Sequence, residues 1–347
     1  MRPLRPVTLS FALASIVSAT ADAQIFLPHD HATMISSATL RTFTDKGDLV
    51  LDVGPIDLPA KADHDGIRQP APLMVRLGVD GWLRGYTVEL IDSTGKPVPQ
   101  NVVHHVNVIV PDKRELFSPI MLRLAAAGGE TSPVGLPWFI GYPIRADDSV
   151  LVSAMLHNPS AVSYGGVRLR VRMPLTRRHI VGAMAIFPFY MDVMPPAGSH
   201  SFDLPVGRTE RYWEGSPAVN GRILGVSGHV HKYGQLLRLE DRTSHKVLWE
   251  GQPEVDSTGE ITSIPIKRFV KTLGVGVRTD HVYRLTVVYD NPTGKPIVDG
   301  GMGALGGVFA PNEEGDWPRV DRQNPDYILD WRITYRLDTS RDVHGHH

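Results

Sequence analysis

The 347-residue chain reads as an all-β protein built of two antiparallel β-sandwiches in tandem. Three features predict this. Gly and Pro are abundant, at 33 and 28 residues, which suits a chain full of turns and not a helical bundle. Short apolar runs alternate with period two between clusters of Gly, Pro, Asp and Asn. No window of about 15 residues carries an apolar stripe at helical spacing.

Taken in chain order, residues 1–23 read as a targeting segment. Arg2 and Arg5 precede an apolar run from Leu9 to Ala19, and Ala21-Asp22-Ala23 supplies the small residues of a signal-peptidase site. The alternative, a short membrane anchor, is disfavoured because the run falls below the ~18 residues that a span needs. No other stretch is long enough, so the processed chain, from Gln24, carries no membrane span. The two Asn-x-Ser/Thr sequences, Asn158-Pro159-Ser160 and Asn291-Pro292-Thr293, are blocked by proline. Export without cysteines or glycans points to a periplasmic or secreted bacterial protein.

A first strand series covers Leu73 to Gly78, Tyr86 to Ile91, Val102 to Val110, Val150 to Leu156 and Val167 to Val171. The boundary falls at Pro174 to Arg178. A second series covers Ile180 to Tyr190, Arg222 to Val230, Leu236 to Glu240, Val247 to Trp249 and Val282 to Tyr289. These define an N-terminal sandwich over 24–177, a C-terminal sandwich over 178–337 and a His-containing tail over 338–347. No internal repeat is visible. The glycine run Gly300 to Gly307 opens no helix, so it reads as a bulge or close backbone approach and not a phosphate cradle.

Charge and cysteine usage exclude several functions. With 36 Lys+Arg against 37 Asp+Glu the net charge is -1, leaving no basic field for a nucleic acid. The absence of cysteine removes disulfides, thiolate metal sites and thiol nucleophiles. Any metal must be held by His, Met or carboxylates.

Histidine is the informative residue, with 15 in the chain. His229 and His231, two apart on a strand, project to one face and suit copper or zinc, although a polar solvent-facing strand has the same pattern. His104 and His105 are adjacent, so they reach one ion only at a bulge or strand end. His157 closes an apolar strand and alone reads as a core or edge residue. His29, His31, His344, His346 and His347 read as tail residues, and His64, His179, His200, His245 and His281 as surface or core residues without a partner at ligand spacing.

In order, His104-His105, His157 in VLVSAMLHNPS, then IVGAMAIFPFYMDVMPPAGSHSF, GHVHKYG and YDNPTGKPIVDGGMGALGG resemble the copper type II, ascorbate-dependent monooxygenases. Peptidylglycine α-hydroxylating monooxygenase and dopamine β-monooxygenase typify that family. The likeness runs from about Asp52 to Pro311. It implies two jelly-roll-like sandwiches, each carrying one copper. His104, His105 and His157 would hold the electron-passing ion; His229, His231 and a Met thioether would hold the ion where O2 reacts. Ascorbate or another one-electron reductant would be the co-substrate, with a small molecule as substrate.

The chain departs from the pattern in three places. The family's acidic-Met register after its Gly-Gly pair holds Gly306-Gly307 here, and Met302 is the nearest thioether, which suits Cu(I). The family's disulfides are missing. Ser227 stands where the peptide hydroxylases have an Arg that grips a substrate carboxylate, so a peptide C-terminus is a poor fit. The rival to an enzyme is a non-catalytic copper-binding or copper-storing protein on the same fold. A carbohydrate-binding or adhesion module would leave the histidine clusters unexplained.

Overall fold

A computed structural model describes residues 36–63, 65–129, 131, 133–177, 184–194, 200–257, 261–269, 272–313 and 317–335. The targeting segment, His29, His31, His64, His179 and the 338–347 tail lie outside these residues.

The chain forms two antiparallel, jelly-roll-like β-sandwiches, as the alternation predicts. The principal strands of the first are β1 (Thr39–Asp45), β2 (Asp48–Leu58), β3 (Leu73–Arg76), β4 (Gly85–Ile91), β5 (Val103–Arg114), β6 (Met121–Ala127), β7 (Ser149–Leu156) and β8 (Tyr164–Thr176). One sheet carries β1, β2, β8 and β4; the other has the order β3-β7-β5-β6. Inward positions such as Val150, Val152, Ala154 and Leu156 are buried, so every second residue of β7 builds the core.

The second sandwich contains β9 (Phe187–Asp192), β10 (Ser201–Leu204), β11 (Gly207–Gly215), β12 (Gly221–Val230), β13 (Gly234–Asp241), β14 (Lys246–Gly251), β15 (Tyr283–Asn291) and β16 (Ile297–Pro311). The long β16 is central: β9 and β10 pair end to end along one edge and β12 along the other. The opposing sheet runs β11-β15-β13-β14. The glycine run lies within β16, and its glycines mark close packing. A Cβ at Gly301 would come within 2.3 Å of Phe202, and one at Gly307 within 2.3 Å of Phe189.

The two sandwiches share one apolar core. At their junction Phe117 packs edge-on against Phe189 and Tyr283, and Phe187 stacks on Trp317 at 4.0 Å. The chain then returns to the first sandwich. Helix α1 (Pro325–Thr334), capped by the Asn324 side chain, covers the outer face of the β3-β7-β5-β6 sheet, where Tyr327 and Tyr335 meet Ile109, Met121 and Leu151. Asp330 fixes it there through Arg123 and the Met121 N–H.

A structural repeat relates the sandwiches, although none shows in the sequence. The Asn158 side-chain amide donates to the carbonyls of Leu58, Pro59 and Val162, while its Oδ1 accepts from Ser160. Asn291 does the same with Leu204, Pro205, Lys295 and Thr293. Both Asn-Pro turns are therefore buried structural corners. By this equivalence β7 corresponds to β15 and β8 to β16.

Candidate metal centres

The first histidine cluster forms because β5 is bulged at His104. Across the β5/β7 pair, Met155 opposes His105 but Leu156 opposes Val103, so His104 is the extra residue. Val103 and Val106 both face the core, at 1% and 2% exposure, and only an irregular strand allows that at a spacing of three. Both histidines are consequently turned outward. Their ring centres lie 5.3 Å apart, and His157 brings a third ring 5.7 Å from His104.

The third ring is held by the end of β7. The Gln69 amide pairs with both backbone groups of Leu156, and the Asn158 corner follows immediately. The His157 backbone N–H donates to the Val102 carbonyl, and its Nε2 lies 2.6 Å from the Asn101 carbonyl oxygen. A carbonyl only accepts, so Nε2 carries the proton and Nδ1 keeps its lone pair for a metal.

The second cluster lies where β12 meets β16. His229 opposes Ala304 and Val230 opposes Gly303, which sets His231 beside Met302 in the same register. Directly opposed residues share a face. His229, His231 and Met302 therefore project together, away from the core that Val230 enters. The imidazole centres are 5.4 Å apart. Burial first, and the neighbouring His229 second, hold His231 below the usual histidine range, so the neutral, metal-binding form is favoured.

One hydroxyl ties this cluster together. Tyr289, on β15 beneath the sheet, accepts from the backbone N–H of His231 at 2.8 Å and of Met302 at 2.9 Å, and donates to the Met302 carbonyl at 2.5 Å. The Gly307 position has the opposite aspect, since a side chain there would run into Phe189. Ser227 opposes Gly306, where an added Cβ would meet nothing within 4 Å. This part of the face is open, and the exposed Arg268 opposes Gly225, two residues from Ser227 on the same side.

A polar group that sequence spacing does not reveal completes the face. Asp192 on β9 opposes Ala304, which opposes His229, so one row crosses three strands. The buried Asp192 carboxylate accepts from the Tyr190 hydroxyl, from the Met194 N–H at 2.9 Å and from His200 Nδ1, also at 2.9 Å. His200, a solitary residue in the sequence, is thus oriented two strands from the histidine pair. His281, by contrast, pairs with Asp241 at 2.7 Å on the other sheet.

Two imidazoles sharing one ion at about 2.0 Å per bond have ring centres about 5 Å apart. The spacing within both clusters suits that arrangement, and the imidazole and thioether donors suit copper. Among the described residues, no three His, Asp or Glu side chains already converge on one point. Side-chain rotation would have to bring the first three rings together.

No family model matches the chain, and no curated protein does. Among solved structures, PNGF-II is similar at 9% identity and a TM-score of 0.35, over 85% of this chain; the chain spans 65% of that protein's length. The VP2 subviral particle of infectious bursal disease virus is similar at 11% identity and a TM-score of 0.26, over 86% of this chain and 78% of the other. Likenesses of this strength carry no functional argument.

Proposed function

We propose that this chain is an exported, copper-dependent monooxygenase that hydroxylates a C–H bond of a small substrate. The observation that carries the reading is the pairing of one histidine cluster with each sandwich, the first made possible by a bulge at His104. His104, His105 and His157 hold the ion that passes electrons. His229, His231 and Met302 hold the ion at which substrate reacts. Copper supplies one-electron redox chemistry and reactivity toward O2 when bound. The overall balance is R–H + O2 + 2 e⁻ + 2 H⁺ → R–OH + H2O, with the electrons drawn from ascorbate or another one-electron donor. The protein separates the two ions, keeps His231 neutral and presents an open face beside Ser227 and Gly306.

Metal analysis of the mature protein, followed by oxygen uptake with ascorbate, tests this. Two coppers per chain and ascorbate-dependent uptake are expected, and substituting both His104 and His105 should remove one copper and leave the other. A wild type that holds no copper in either redox state would overturn the reading. Copper without oxygen uptake would instead favour a copper-binding or copper-storing protein, a reading suggested by donors that do not yet converge. Export is tested separately: protein from its native host should have the mass of a chain starting at Gln24.

A further inference from the structure

We propose that Met155 is a fourth, sulfur ligand of the first histidine site, making it a three-His, one-Met centre that favours Cu(I). This rests on the copper reading above and adds a residue that the family resemblance does not supply.

Three observations place Met155 there. It is the direct cross-strand partner of His105, and opposed residues share a face with Cβ atoms about 4.5 to 5.5 Å apart. His157 follows it by two residues, so alternation puts both on the side opposite the buried Leu156. The bulge turns His104 to that same side, its ring centre 5.3 Å from that of His105 and 5.7 Å from that of His157. Met155 therefore shares an outer face with the three histidines, directly across from His105.

A further observation concerns what else Met155 does. Four described methionines are half-buried: Met74, Met155, Met194 and Met302. Met74 packs against the small apolar cluster under α1, and Met194 against the main core. Met155 and Met302 belong to neither. Each instead accompanies a histidine cluster on the outer face of a sheet. Core packing does not account for a long apolar side chain in a row that otherwise reads Ser153 and His157, whereas a thioether beside three imidazoles has an evident use. A soft donor stabilises Cu(I) over Cu(II), raising the potential at which the site releases its electron.

The test isolates the first site. A variant carrying His229→Ala, His231→Ala and Met302→Leu keeps only His104, His105 and His157 with Met155. X-ray absorption of this protein loaded with one Cu(I) is expected to show one sulfur scatterer, which Met155→Leu removes. Met155→Leu should also weaken Ag(I) binding about tenfold or more while changing Cu(II) binding little. Nitrogen-only scattering, unchanged by Met155→Leu, would overturn the proposal and leave the histidine reading intact. Failure of this variant to bind copper while folded would overturn both. If the triple variant does not fold, the full two-copper chain serves: sulfur should fall from two scatterers per two coppers to one in Met155→Leu, and an unchanged count would overturn the proposal.

Discussion

At the residue scale, the second site depends on a hydroxyl that is not itself a ligand. Tyr289 bonds the backbone on both sides of the β12/β16 junction, so it sets the distance between His231 and Met302. Tyr289→Phe keeps the ring and leaves two N–H groups and a carbonyl short of a partner, at a cost of about 1 to 3 kcal/mol. The expected result is weaker or heterogeneous copper at the second site with the first unchanged, read by electron paramagnetic resonance of the Cu(II) protein. Equal loss at both sites would mean that Tyr289 serves stability alone. The ligand candidates themselves were legible in the sequence because alternation is a local rule: His229 and His231 must share a face. The bulge at His104 was legible in principle, since Val103 and Val106 are both core-type residues at an odd spacing. Asp192 and His200 were not, because β9 and β10, which position them, reach the β12 histidines only through β16, and no sequence distance encodes a shared neighbour.

At the element scale, the same distinction holds. The apolar strands β3, β4, β5, β7, β12, β13 and β15 announce themselves by alternation, and their observed bounds differ from the expected ones by only a few residues at most ends. The β1–β2 hairpin lies outside the strand series that alternation predicts. Its signal lies in the turn, where Lys46 and Gly47 both have positive φ, at 51° and 91°, a conformation that suits glycine and matches the twist of a tight hairpin. Helix α1 is hard to read from sequence because its packed stripe is only three aromatic residues, Tyr327, Trp331 and Tyr335, at the end of a strand-rich chain. An Asn324 cap, Pro325 at its start and the Asp330–Arg123 pair define it instead. The repeat was invisible because its corner residues are spaced differently, 100 residues from Leu58 to Asn158 but 87 from Leu204 to Asn291. Removing a corner should be costly in both sandwiches. Asn158→Ala and Asn291→Ala are each expected to lower stability by about 1 to 3 kcal/mol or more, since several buried carbonyls lose their donor. Only Asn158→Ala should also disturb the first site, because His157 precedes it. Denaturant unfolding combined with copper stoichiometry separates the two effects.

At the scale of the whole molecule, the corner equivalence shows that the two histidine clusters are not copies of each other. The first lies on β5 and at the end of β7, and β7 corresponds to β15; the second lies on β12 and β16, in the sheet that corresponds to the one containing β8. Each sandwich thus acquired its cluster on a different sheet, and what fixes one relative to the other is the junction between sandwiches. Glu115 is central to that junction. It is fully buried and accepts the N–H groups of Leu116 and Arg123 from the first sandwich and of Tyr190 from the second. Arg123, itself paired with Asp330, faces it, as do Tyr190 and the neighbouring Arg114. Burial outweighs these favourable partners and raises the Glu115 carboxyl from 4.5 to about 7. A carboxyl with a raised folded-state pKa binds its proton more tightly in the native state, so its stabilising effect is complete below about pH 4.5 and is lost as pH rises to about 7. The loss is on the order of 3 kcal/mol. Glu115→Gln mimics the protonated acid at every pH. Relative to that variant, the wild type should match it near pH 4, fall behind between pH 4.5 and 7, and run parallel to it above. Urea unfolding of both proteins across that range measures the difference directly. A difference that stays flat with pH would show that Glu115 keeps its charge in the fold, with Arg123 and the three N–H groups overcoming its burial.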